Sequence, residues 1–295
     1  FLPREGKNSQ PDDPAAGENP TSGASLNFFL GQGTESRAQI IITTESGEHV
    51  RTLSTTGTGG LNRVFWDLRY ESSSTPRLRT RPLEHSHREV GPSGWRPPPD
   101  GGVVSPLAVP GLYRITLVLA GHEEQSVWLE VLQDPESSAS ASDMEAQLNL
   151  QLELRELSDS TGALIDRIEW TRKSLEDLKD RLAGDPGYSD IVSAGEMLDQ
   201  LLIELEMGLF DLRLTGGSAR QDTIRWPRQL WAKLSSLSGY SSGSDNRPTD
   251  QMLEIRTVYR QRVTDSLLRW AEIAASDLAR FNQVLAEQGL PPIIS

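Results

Sequence analysis

At Asp134-Pro135 the spacing of apolar residues changes from two to about three and a half, and this switch constrains the fold more than any other feature of the chain. A period of two puts alternate side chains on one face of a strand, whereas three and a half keeps one stripe of a helix turned inward. No single regular element satisfies both. The chain is therefore expected to be an α+β multidomain protein, an antiparallel β-sandwich of immunoglobulin-like type followed by an antiparallel bundle of long helices.

Upstream of the switch, residues 26–30, 39–44 and 49–53 are β-rich runs, with a turn at Glu45-Ser46-Gly47-Glu48 between the last two. In residues 61–70, Val64, Trp66 and Leu68 share a face. In 112–120, Tyr113, Ile115, Leu117 and Leu119 alternate with Arg114, Thr116 and Val118, and residues 127–132 complete the set. Residues 1–21, with Pro3, Pro11, Pro14 and Pro20 among polar neighbours, read as an extended linker, which leaves 22–134 for the sandwich. Residues 71–110 form a long insertion holding eight prolines, a length that marks either a functional or a disordered segment, with an ordered loop draped on a neighbouring surface as the favoured reading.

Downstream, 135–295 reads as helical. Ser142 and Glu145 have the spacing of a capping box. Leu150, Leu157, Leu164, Thr171 and Leu178 recur at seven, as do Leu154, Thr161, Ile168, Leu175 and Leu182, which predicts one helix of about forty residues. After Gly184-Asp185-Pro186-Gly187, a second heptad series (Ile191, Leu198, Leu205, Leu212) predicts an antiparallel partner. A third helix is expected over 222–237, with Pro227 in its first turns and a Ser/Gly loop over 239–246. A last long helix is expected to face inward through Tyr259, Val263, Leu267, Trp270, Ala274, Leu278, Phe281 and Leu285.

Charge and composition narrow the function. A net charge of −13 repels phosphate backbones, so nucleic acid is excluded as a partner. The chain has no cysteine, which removes disulfides, thiol catalysis and cysteine-held metal sites. No run approaches the roughly 18 apolar residues of a membrane span. Because it begins at Phe1 rather than Met, the chain reads as a processed product or a fragment, with any signal peptide and further domains upstream.

His85 and His87, with Glu84 and Glu89 beside them, are weak candidates for a metal pair. No third ligand has the spacing, so neither metal nor cofactor is assigned. No Gly-x-Ser-x-Gly turn accompanies the four histidines, and no catalytic residue is assigned. Arg77, Arg79, Arg81, Arg88 and Arg96 make a basic run inside an acidic chain, suited to docking on carboxylates. Trp95, beside Gly94 and Pro97-Pro98-Pro99, lies outside the expected packed elements, whereas the other six tryptophans are expected to fill cores. The interaction candidates are therefore Arg77, Arg79, Arg81 and Trp95.

Gly60-Leu61-Asn62-Arg63-Val64-Phe65-Trp66-Asp67-Leu68-Arg69, followed by Val109-Pro110-Gly111-Leu112-Tyr113-Arg114-Ile115, resembles the signature of immunoglobulin-like domains of the flagellar hook-cap type. The residues from Pro14 to Pro20, together with Pro248-Thr249-Asp250-Gln251, Trp270, Asp277-Leu278, Phe281-Asn282 and Leu290-Pro291-Pro292-Ile293, resemble the C-terminal region of bacterial BNR-repeat or sortilin-like β-propeller proteins, often labelled glycosyl hydrolases. That resemblance implies a secreted or periplasmic protein and a non-catalytic scaffold or protein-interaction tail. Its implied partner is an N-terminal β-propeller of the same or a cleaved parent polypeptide, with self-association or other proteins as further partners. The alternative is a carbohydrate-binding accessory module of a secreted glycosidase.

Overall fold

The computed structural model describes residues 21–85, 87–215 and 222–293. Residues 1–20 of the expected linker lie outside that set, as do Pro14–Pro20 of the second resemblance and Ser86 between the two histidines. The chain is α+β, with antiparallel strands followed by helices. It divides into two compact units. The first holds the strands (up to Ser72, then Ser105–Asn149 and Ser244–Arg247), and the second holds Ser73–Val104, Leu150–Gly243 and Pro248–Ser295. The division differs from the expected one at three places: 73–104 groups with the helices, and 135–149 and 244–247 with the strands.

In the first unit, the four expected short runs at the start merge into two long strands. β1 (Ala24–Thr44) and β2 (His49–Trp66) form a hairpin, joined by β3 (Gly111–Leu119) and β4 (Gln125–Val131) in one antiparallel sheet of order β2-β1-β3-β4. The stretches between the runs are polar and Gly-rich, so they lack alternation. The ladder continues through them because it needs only backbone groups, and a register shift between Leu30 and Glu35 takes up the irregularity.

The sheet also bends back on itself. Trp66 pairs with Ala24 at one end of β1, and Tyr113 pairs with Thr44 at the other, about 66 Å away along a straight strand. Yet their rings meet edge to face with centroids 5.2 Å apart. The curl encloses Leu26, Leu30, Ile40, Ile42, Val50, Trp66, Tyr113 and Ile115 in one core. The described strands thus make a single curled sheet rather than two separate ones.

Helix α1 (Ala141–Leu182) has the expected length, but its cap lies two residues earlier than predicted. The Ser140 hydroxyl accepts from the Asp143 amide at 3.2 Å, and the Asp143 carboxylate accepts from the Ser140 amide at 3.4 Å. In the second unit, α2 (Ser189–Met207) stops at Gly208, although the heptad continues to Leu212. Leu209, Phe210, Leu212 and Leu214 are buried from an irregular stretch instead, where the Asp211 carboxylate accepts from the Arg213 amide.

The expected third helix is split. α3 (Asp222–Arg225) ends before Pro227, whose ring disfavours helix at the residue preceding it, and α4 (Leu230–Ser241) runs through Gly239 into the predicted loop. The last helix is α5 (Asp250–Ile273) and α6 (Ala279–Glu287), joined by a π-helical segment, Ala274–Leu278. The wider π turn brings Ile273 into the buried stripe with Val263, Trp270, Leu278, Phe281 and Leu285, while Leu267, expected inside, is 38% exposed.

Candidate functional site

Two features of the molecule have the chemistry to hold something: a buried ionic node in the helical unit and an open edge in the sheet unit.

The node begins with α1. Beyond its two apolar series, α1 buries a third stripe, Ser158, Gly162, Ile165, Glu169 and Arg172, at alternating spacings of four and three. Residues 73–104 lie on this stripe. The Ser74 amide donates to Asp159 at 2.7 Å, and the Arg77 amide to Asp166 at 3.0 Å. The Arg79 guanidinium pairs with Asp166 at 2.7 Å and stacks 4.3 Å from the Trp170 ring. The Glu169 carboxylate, 0% exposed, accepts from the Arg79 amide, from the Thr80 amide at 2.7 Å and from the Thr80 hydroxyl at 2.8 Å. It does for these donors what a capping side chain does at a helix start.

Arg172 lies 3.6 Å from Glu169, 2.9 Å from Glu206 and 2.9 Å from Asp199. Burial disfavours its charge, but Glu206, Asp199 and Glu169 outweigh that and hold the guanidinium above its usual pKa. Burial, with the Glu169 charge adding to it, pushes the Glu206 carboxyl well above the usual range against the pull of Arg172. One Glu206 oxygen, Oε1, has no hydrogen-bond partner among the described residues. Burial lowers the Arg96 pKa, offset in part by Glu169 and Glu206, and this side chain donates to the carbonyls of Thr80 and Leu214 at 3.3 and 3.2 Å. Glu169 and Glu206 are both sealed from solvent. A substrate has no approach to either carboxylate, so the node fastens the segment 73–104 to α1 and α2.

Arg77 and Arg79 are thus placed on α1, and Arg77 also stacks 5.1 Å from the Trp95 ring. Arg81 and Arg88 are exposed. The His85 and His87 rings approach edge to face at 5.7 Å, and among the described residues no group of three metal-ligating side chains occurs. Sequence reasoning missed Glu169, Arg172 and Glu206 because charges on a helix are expected to face water. The usable signal was the helical spacing of Asp159, Asp166 and Glu169; Gly162 on the same stripe lies within ordinary contact distance of Pro76, Ser74 and Trp231.

The second feature lies in the sheet unit. β1 pairs on both sides over Ala38–Thr44 but on one side only over Ala24–Leu30, and β4 is the last strand of the sheet. A cleft of about 460 Å³ lies between these two open edges, lined by Leu26, Phe28, Ile115, Leu117, Val127 and Leu129. At its rim Val127 is 65% and Trp128 52% exposed, with the Arg114 guanidinium 5.0 Å from the Trp128 ring. Trp128 and Trp170, expected in cores, are instead surface residues, each faced by an arginine. β4 contains no proline and a single charged residue, Glu130, so among the described residues its edge carries few of the devices that blunt a sheet edge.

Among the described residues no helix is long and apolar enough to cross a membrane. Comparison with family models, with curated proteins and with solved structures gives no match.

Proposed function

We propose that the chain is a non-catalytic protein-interaction module whose helical unit is a stiffened scaffold of bundle type and whose sheet unit binds by strand addition at β4. The observation that carries this reading is the unprotected β4 edge, with Val127 and Trp128 exposed beside an apolar cleft. Strand addition needs unpaired backbone groups and side-chain pockets at alternate positions, and this edge offers both.

The curled sheet is read as a relative of the immunoglobulin-like sandwich. Trp66 fills its core, and the Tyr113 hydroxyl donates to the Val109 carbonyl four residues upstream at 2.7 Å, like the tyrosine corner of such domains. From the resemblance of residues 60–69 and 248–293, the module is further read as the tail of an exported β-propeller protein. The carbohydrate reading is weaker, because Arg77 already covers a face of Trp95 that a sugar would stack on.

The test is cross-linking in the native source. A partner polypeptide linked through residues near β4, and lost on Val127→Lys, supports the reading. Associations that all survive Val127→Lys refute it.

A further inference from the structure

The geometry points to a second copy of this chain as the occupant of the β4 edge, paired antiparallel about a twofold axis through Trp128; this deepens the interaction reading and rests on it. The argument is one of register. A twofold axis normal to the sheet keeps both apolar inner faces on the same side, and because side chains alternate along the strand, facing residues share a face only if one residue faces its own copy across that axis. Through Trp128, the midpoint of Gln125–Val131, the whole strand is paired.

In that register Val127 faces Leu129 of the second copy, Ser126 faces Glu130, Gln125 faces Val131, and the two Trp128 side chains meet. Beyond the strand ends, Glu124 faces Leu132, Glu123 faces Gln133, and His122 faces Asp134. No acid opposes an acid. Moving the axis to Val127 sets Glu124 against Glu130, and moving it to Leu129 sets Glu124 against Asp134, and like charges directly opposite destabilise a ladder. The register that pairs the most backbone also sets no acid opposite an acid. It covers Val127, Trp128 and Leu132, three of the large apolar side chains exposed in the sheet unit.

The chain's own first twenty residues fit the cleft less well. Their longest proline-free run, Arg4 to Gln10, has no apolar residue to offer. A seven-residue ladder lies at the small end of specific interfaces, so the dimer forms at micromolar or higher concentration. Each copy carries −13 charges, and Glu130 lies diagonal to Glu124 of the other copy, so added salt tightens the association.

Because the chain has no cysteine, one introduced cysteine reads the register directly. Cα atoms facing each other across an antiparallel pair are about 4.5–5.5 Å apart, within disulfide reach. Trp128→Cys is expected to cross-link on oxidation, whereas two Ser126→Cys sites would lie about 13 Å apart and stay reduced. In sedimentation from about 5 to about 500 µM, the native chain is expected to pass from monomer to dimer. Ser126→Glu, which opposes acid to Glu130 twice, is expected to weaken the dimer about three- to tenfold, and adding Glu130→Lys to restore it.

A chain monomeric throughout, with Trp128→Cys cross-linking no faster than Ser126→Cys, overturns self-pairing. In that event, protection of the β4 amides from exchange by an added alternating Val/Thr peptide would keep the interaction reading and replace only its partner. Absence of protection would remove both.

Discussion

Glu169→Ala removes one fully buried carboxylate and leaves three donors without their acceptor: the Arg79 amide, the Thr80 amide and the Thr80 hydroxyl. A buried amide without a partner costs about 1–3 kcal/mol, so two of them set a range of about 2–6 kcal/mol for a segment that stays in place. The segment need not stay. Lifting 73–104 off α1 lets water reach the amides, at the expense of the Arg79–Asp166 pair and the burial of Leu78, so the loss is capped by the docking energy itself. Arg172 remains paired with Glu206 and Asp199 and adds little to the loss.

We therefore expect the helical unit to lose about 3 kcal/mol, near the lower value for breaking a buried ionic contact. Glu169→Gln, whose carbonyl can still accept from both amides while its NH2 group faces the Thr80 hydroxyl, should lose less. Urea unfolding gives the size of the effect. Amide exchange at Arg79 and Thr80, with tryptic cleavage after Arg88, shows where it falls. A loss under about 1 kcal/mol with unchanged exchange at Thr80 would refute the reasoning, because the carboxylate would then not be holding the segment.

Three further outcomes follow from the same geometry. The folded chain holds the Glu206 proton more tightly than the unfolded chain, so this group's contribution is complete below the ordinary carboxyl range and is lost as pH rises through the folded value. Stability of the helical unit should thus fall from about pH 4 toward neutral by this contribution, and Glu206→Gln should flatten that slope in pH-dependent urea unfolding. At Gly162 an added Cβ would meet nothing closer than 3.6 Å, so Gly162→Ala should raise thermal stability by about 0.5–1 kcal/mol. Gly101→Ala should lower it, with φ at +89° and the new carbon 2.7 Å from the Trp231 indole nitrogen. Ser140→Ala removes the side-chain acceptor of the Asp143 amide, leaving it the Ser140 carbonyl at 3.1 Å, and should fray the start of α1 by about 1 kcal/mol, visible as faster amide exchange at Asp143 and Met144.

Where burial is two-sided and apolar, the sequence was legible. The paired heptads of α1 gave its length, and the alternation of 112–120 gave β3. Boundaries failed where a local competitor won. Ser140 rather than Ser142 caps α1 because Asp143 can return the bond to it, and Pro227 divides the third helix because its ring acts on Trp226 as well. The long hairpin was read as four runs because hydrophobic alternation reports apolar side chains, whereas the β1–β2 ladder runs on through Ser36 and Gly57, where Gly57 is buried under Leu30 and Phe28 without an apolar side chain of its own.

The ionic node was hidden for a deeper reason. A helix with one partner shows a single apolar stripe, and the rest of its surface can be charged at no cost. The third stripe of α1 is buried under a segment that carries its own unsatisfied backbone donors, and those donors ask for acceptors rather than for leucines. Asp159, Asp166 and Glu169 answer them at spacings of seven and three, a helical periodicity in carboxylates. Arg172 follows because a carboxylate sealed at Glu169 beside another at Glu206 needs a cation between them. The eight prolines of 71–110 supply the other half of the pattern: a proline-rich segment cannot pair its amides within regular structure, so it must find acceptors elsewhere or stay in water. A proline-rich insertion and a helix with acids at helical spacing together predict a docked segment, and residues 73–104 are hydrogen-bonded to α1 as that pattern predicts.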